Sequence, residues 1–239
     1  MPEQLINHLE EEDLKNRDPE QQRLMSETCI LVDENDKMIG NLKKKGHLLK
    51  NIQEGMLHRA FSVFLFDQKG DLLLQKRAYE KITFPGLWTN TCCSHPLQVI
   101  GEYGENMEKS VEGVKRAAQR KLYHELGIVS SQVPLEKFHY LTRVQYKAES
   151  DKIWGENESV YQFSQEKYLT ADVDLKLNPN EVETARYVSQ DDLRKMLKCK
   201  DFSFTPWFEL ICRSFMFFWW DSLHNLNAVK NHQFSIIRM

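Results

Sequence analysis

The sequence predicts a mixed α/β fold, and three observations point to it: an apolar strand-turn-strand pattern at 60–75, an amphipathic helix at 111–126, and further strand patterns beyond that helix. Strands before and after a central helix fit that class. With 239 residues, 41% hydrophobic and 28% charged, the chain has the composition of a soluble globular protein. At roughly 150 residues per domain it suits one large domain with extensions.

The elements follow in chain order. Residues 1–25 are polar and rich in Glu and Gln, so they offer little apolar surface against the entropy of ordering and are expected to form an N-terminal arm of unreadable function. Residues 26–239 are expected to form the single domain. Cys29 to Val32, followed by Asp33-Glu34-Asn35-Asp36, reads as a buried strand entering a polar turn. Ala60 to Phe66, a turn at Asp67 to Asp71 containing Gly70, and Leu72 to Gln75 read as a hairpin. Val111, Val114, Ala118, Leu122 and Leu126 recur at spacings of three or four, one apolar helix face closed by Gly127. Strands are expected at 138–147, 159–165 and near 184–188, a short helix at 190–198 and an aromatic helix at 206–225.

Charge and composition narrow the function. Lys and Arg number 32 against 35 Asp and Glu, a formal charge of −3, so nucleic acid is not an expected partner. The most aromatic run, Phe215 to Trp220, is bracketed by Arg213 and Asp221, so no membrane span is expected. The acidic Glu10 to Asp13 fits neither a secretory nor a transit peptide, which makes a cytoplasmic location the expectation. The terminal Ile-Arg-Met only faintly echoes a peroxisomal ending. Five cysteines, two of them adjacent at Cys92-Cys93, form no disulfide framework and argue for free thiols.

Several side chains could carry chemistry. His47 and His58 bracket a loop, Cys93-Ser94-His95 sits in a polar segment, and Glu156-Asn157-Glu158 precedes a strand. In an extended chain residues two apart share a face, so Cys93 pairs with His95 and Glu156 with Glu158. Imidazole nitrogens with carboxylate oxygens suit a divalent ion, and five possible ligands exceed the four of a closed structural zinc site. The alternative for each histidine is an ordinary surface or core residue, and for Cys93 an inert buried thiol. Lys43-Lys44-Lys45, Lys76-Arg77 and Lys81 are either a solvated face or a phosphate-binding mouth. Glu125 is either a solvated helix residue or a Mg²⁺ ligand.

Taken together, Gly55 to Ser62, Phe84 to Pro96, Arg116-Ala117-Ala118-Gln119-Arg120, Glu125-Leu126-Gly127, Trp154 to Glu158 and Thr205-Pro206-Trp207 resemble the type I isopentenyl-diphosphate delta-isomerases, in order, from about residue 29 to the end. The resemblance implies a Nudix-like mixed sheet flanked by helices, with N- and C-terminal extensions, and interconversion of isopentenyl and dimethylallyl diphosphate. It implies that His47, His58, His95, Glu156 and Glu158 hold one divalent ion, zinc or manganese or magnesium, and that Cys93 and Glu158 are the acid/base pair. It further implies that Glu125 holds a Mg²⁺ bridging the substrate diphosphate, with Lys43, Arg77 and Lys81 around the anion. Tyr146 matches the tyrosine near the reacting carbons and Trp207 the cleft tryptophan. A monomer acting on a small prenyl diphosphate is the expected form.

Three departures accompany the resemblance. Lys121 stands where the family usually has arginine, turning a bidentate phosphate contact into a point charge. Ser159 to Gln165 is more polar than in relatives, which predicts a less buried strand. Residues 98–113 match poorly and read as a flap or insertion. Two other readings compete. A Nudix diphosphate hydrolase would need glutamates where Lys121 and His124 stand. A catalytically silent binding module would tolerate the loss of Cys93, Glu158, Tyr146 and the histidines, which are all present.

Overall fold

A computed structural model describes residues 14–43, 56–149, 155–165, 173–225 and 235–239. Helix α1 (Pro19–Leu24) is followed by strands β1 (Thr28–Val32), β2 (Met38–Lys43), β3 (His58–Phe64), β4 (Leu72–Arg77), β5 (Trp88–Thr89) and β6 (Cys92–Ser94). Then come the long helix α2 (Met107–Leu126), strands β7 (Phe138–Glu149), β8 (Gly155–Gln165) and β9 (Val182–Val188), and helix α3 (Gln190–Met196). Helices α4 (Pro206–Ile211) and α5 (Phe217–Asp221) and strand β10 (Ile236–Arg238) complete the set.

Among the described residues, one sheet runs β10-β7-β8-β3-β1-β2 with β6 paired to β3, and a smaller one runs β5-β4-β9. The expected hairpin is therefore corrected: its two strands belong to different sheets. They pair only at the turn, through the Phe66–Leu72 bridge. Thr91 is the reason for the divergence. Its hydroxyl takes Leu65 N–H at 2.9 Å and donates to Leu73 C=O at 2.7 Å, so a side chain replaces a direct rung of the ladder.

Alternation along β3 divides the core. Phe61 and Val63 face α2 with Val114, Ala118 and Leu122. Ala60 and Phe64 face the opposite layer, built from Trp207, Phe208, Met216 and Trp219. His58 and Ser62 share the parity of Ala60, so β3 aims them at the second layer.

Helix α2 begins at Met107, capped by Asn106 Oδ1 on Lys109 N at 2.9 Å. Residues 107–113 are thus its first turns rather than part of a flap. Gly113 lets the preceding loop come close, since a Cβ there would lie 2.6 Å from the Glu102 carbonyl oxygen. The strand after Glu158 is also corrected. Ser159, Gln162 and Ser164 are buried because β8 is an interior strand, paired with β3 on one side and β7 on the other. The aromatic segment is interrupted by a π-helical turn at Cys212–Met216, which separates α4 from α5. Met216, Trp219 and Trp220 are buried there, and Phe218 is exposed.

Candidate active site

Two strand pairings assemble the site's floor. β3 and β8 run parallel with His58 opposite Glu158, and β7 and β8 run antiparallel with Tyr146 opposite Glu158. Tyr146 faces this layer because of a bulge: Leu141 is an extra residue between the Tyr140–Phe163 and Thr142–Gln162 pairs. One inserted residue reverses the facing of everything after it. Tyr140 accordingly packs toward α2, whereas Val144 and Tyr146 pack toward Trp207.

Glu158, 1% exposed, is the hub. His95 Nε2 lies 2.9 Å from its Oε1, His58 Nε2 lies 3.4 Å away, and the Tyr146 hydroxyl donates to Oε2. Burial pushes this carboxyl up, but hydrogen bonds from His58 and His95 and their charge outweigh it and hold it well below the usual range. Donor atoms of His58, His95 and Glu158 all lie within 4.8 Å of one another. Two imidazoles and one carboxylate converging in a buried place fit a divalent ion. His47 lies outside the described residues, as do the side chains of Glu156 and Lys43.

Cys93 is half-buried on β6, opposite Ser62 on β3, whose hydroxyl donates to its Sγ at 3.6 Å. Its neighbour Cys92 points the other way and is fully buried, 3.6 Å from Glu125 Oε2. Burial first, and then the Glu125 charge, push the Cys92 thiol well above its usual pKa. Of the two adjacent thiols, only Cys93 opens onto the cavity.

That cavity, about 70 Å³, is lined by Cys93, His95, Glu158, Trp207, Glu125, Arg77, Lys81 and Lys121. Eight of the residues singled out in the sequence thus share one wall system, with Tyr146 bonded to Glu158 behind it and His58 3.4 Å from the same carboxylate. Arg77 is aimed by backbone: Nε donates to Phe84 C=O at 3.0 Å and Nη2 to Thr83 C=O at 2.8 Å. Phe84 adopts φ 50° just before Pro85, a strained conformation of a kind that costs about 1–3 kcal/mol.

Glu181 is the residue that sequence reasoning missed. It forms an ion pair with Lys81 and lies 4.0 Å from Lys121, which in turn sits 3.1 Å from Glu125. Burial would raise the Glu181 carboxyl, yet the two ammonium groups hold it well below the usual range. Lys121 is pushed up to about 12: burial lowers it, and the Glu125 and Glu181 charges more than reverse that. In sequence, Glu181 is only a carboxylate after an Asn-Pro-Asn turn. The β4–β9 register, with Arg77 opposite Val182, brings it to the cations.

The cavity's roof comes from Gln21, Leu24 and Met25 of the N-terminal segment. Asp18 caps α1 and accepts from Asn180 Nδ2 at 2.7 Å, while Gln21 Nε2 donates to Asn180 Oδ1 at 2.7 Å. The described part of that segment is therefore pinned, through Asp18 and Gln21, to the loop that carries Glu181.

Residues 56–208 match the model of the Nudix domain family. The chain is 56% identical over 222 residues to an isopentenyl-diphosphate delta-isomerase of Gibberella zeae, covering 92% of this chain and 86% of the relative. It is 52% identical to the enzyme of that name from Schizosaccharomyces pombe, covering 92% and 95%. An isopentenyl-diphosphate Delta-isomerase 1 of Mesocricetus auratus is 47% identical, with 98% of both chains covered. A crystal structure of a Deinococcus radiodurans protein shares the fold at TM-score 0.51 and 18% identity, covering 80% of this chain and all of the other. Among the described residues, no helix is long and apolar enough to cross a membrane.

Proposed function

The chain belongs to the isopentenyl-diphosphate delta-isomerases within the Nudix family, and from that premise we propose that it interconverts isopentenyl and dimethylallyl diphosphate by proton addition and removal through a tertiary carbocation. The observation that carries the reading is that Cys93 and Glu158 line one small cavity together with an aromatic face and a cluster of cations.

The residues divide the work. Shifting the double bond requires a proton delivered to the terminal methylene carbon and another withdrawn two carbons away, so two acid/base groups must reach opposite ends of the allyl unit. Cys93 and Glu158 serve as that pair, and Tyr146, bonded to Glu158 Oε2, can move a proton on or off the carboxyl. Trp207 is 4% exposed, and its ring quadrupole can stabilise a desolvated cation by about 2 kcal/mol. Walls of Tyr146, Phe84 and Trp207 exclude the water that would trap the cation.

Arg77, Lys81 and Lys121, with Lys43, bind the diphosphate, and this remote binding holds the small hydrocarbon in register. Glu125 would hold a magnesium ion, which would supply positive charge to the diphosphate. His58, His95 and Glu158, with His47 and Glu156, would hold a second divalent ion, zinc or manganese or magnesium. Bound ions would neutralise the diphosphate and fix the orientation of Glu158. A monomeric, cytoplasmic enzyme completes the proposal.

Lys121 and His124 occupy the helix positions where a Nudix hydrolase would carry glutamates, so water activation at phosphorus is poorly supplied. Incubating the chain with isopentenyl diphosphate and Mg²⁺ in D₂O and following product by NMR tests the choice. Deuterated dimethylallyl diphosphate is expected; inorganic phosphate without isomer would move the assignment to hydrolysis.

A further inference from the structure

Thr89 closes β5, is fully buried, and lines no part of the cavity described above. Its Oγ1 lies 3.0 Å from Trp207 Nε1, 2.9 Å from Thr205 Oγ1 and 3.1 Å from Asn90 Oδ1. An indole N–H can only donate and an amide oxygen can only accept. The hydroxyl therefore accepts from Trp207, donates to Asn90, and takes the Thr205 proton on its second lone pair. Its hydrogen-bonding capacity is filled, and each bond has one possible direction.

Asn90 extends the chain. Its Nδ2 donates to Val63 C=O at 3.1 Å and Cys92 C=O at 2.9 Å, and because both partners are acceptors the amide cannot be flipped. Val63 and Cys92 are themselves a register pair of β3 and β6, the rung beside Ser62–Cys93. A continuous run of hydrogen bonds thus joins the Trp207 indole to the strand that carries the proton-transfer thiol. Around the ring, Phe84 meets it edge-on at 5.0 Å, Tyr146 lies 6.2 Å away and the Arg77 guanidinium lies 5.7 Å over it, contacts without a fixed hydrogen-bond direction. The bond to Thr89 fixes which way its face points.

We infer that Thr89 is a positioning residue for the isomerisation, orienting the Trp207 face toward the developing cation and locking it in register with Cys93. The inference rests on the isomerase reading and names a residue that acts through another. Thr89→Val keeps the shape and deletes the hydroxyl, stranding the indole N–H, the Thr205 hydroxyl and the Asn90 carbonyl. Thr89→Ser keeps the hydroxyl.

The test measures kcat and KM for isopentenyl diphosphate together with the ¹H–¹⁵N indole resonance of Trp207, identified by its loss in Trp207→Phe. Thr89→Val is expected to lower kcat roughly ten- to hundredfold with KM within about twofold, and Thr89→Ser to restore most of it. The Trp207 resonance is expected to move upfield in Thr89→Val and to stay near its wild-type position in Thr89→Ser. In a Trp207→Phe background, Thr89→Val is expected to cost no more than about twofold further, since the two changes remove one effect. Equal kcat for the valine and serine variants would overturn the inference, as would a valine loss that persists in full without Trp207. Should the valine variant not fold, Thr89→Ala removes the same hydroxyl without crowding and decides the question by the same readouts. A wild-type chain without isomer product would sink the reaction, whereas an unmoved indole resonance in Thr89→Val would sink the positioning, so the two failures are read separately.

Discussion

Replacing Lys121 with methionine removes one charge from the buried set Lys81, Lys121, Glu125 and Glu181 while nearly conserving volume. Lys121 is 4% exposed, 3.1 Å from Glu125 and 4.0 Å from Glu181. Its ammonium is raised from 10.5 to about 12, which at about 1.4 kcal/mol per tenfold change in the proton equilibrium is worth about 2 kcal/mol of folded-state stability. A folded pKa above the unfolded one means that this stability is fully present below pH 10.5 and disappears as pH rises through about 12. The variant also leaves Glu125 without its nearest cation, and breaking a buried pair costs about 3–5 kcal/mol. Lys121→Met should therefore lose about 2–5 kcal/mol at pH 8 in equilibrium urea unfolding followed by tryptophan fluorescence. A loss below about 0.5 kcal/mol at pH 8 would show that these charges are solvated and that the account of the anion site is wrong.

Other expectations concern the thiols, the metal ligands and the helix packing. Cys93→Ala should abolish turnover while leaving bound metal unchanged by elemental analysis, whereas Cys92→Ala should keep turnover and lose about 1 kcal/mol of stability. The reverse pattern would mean that the cavity-facing thiol is misassigned. His58→Ala should lower the bound divalent ion in the same analysis, with unchanged stoichiometry arguing against a ligand role. Gly113→Ala places a methyl 2.6 Å from the Glu102 carbonyl oxygen and should cost about 1–3 kcal/mol in thermal unfolding. A wild-type melting temperature would show that the 102–104 loop yields freely.

Local pattern determined a good deal by itself. Apolar spacing located α2 and its end at Gly127, because a 3.6-residue period and a left-handed cap are properties of the segment alone. Alternation placed Cys93 and His95 on one face for the same local reason, and the order of the motifs carried the family resemblance. Charge balance and the interrupted apolar runs set the expectations against nucleic acid and a membrane span.

Tertiary structure decided what depends on pairing between distant segments. His58 meets Glu158 because β3 and β8 run parallel, and Tyr146 meets Glu158 only because Leu141 bulges out of β7 and reverses the facing of the residues after it. The apparent hairpin split into two sheets because Thr91 intervened, and polar Ser159 to Ser164 became interior because β8 is paired on both sides. Glu181 and the roof at Gln21 joined the site through the β4–β9 register and the hydrogen bond that Gln21 donates to Asn180. A sequence fixes which side of its own strand a residue takes, but contacts across a hundred residues are set by register, bulges and sheet order, and those are determined by the packing of the whole chain.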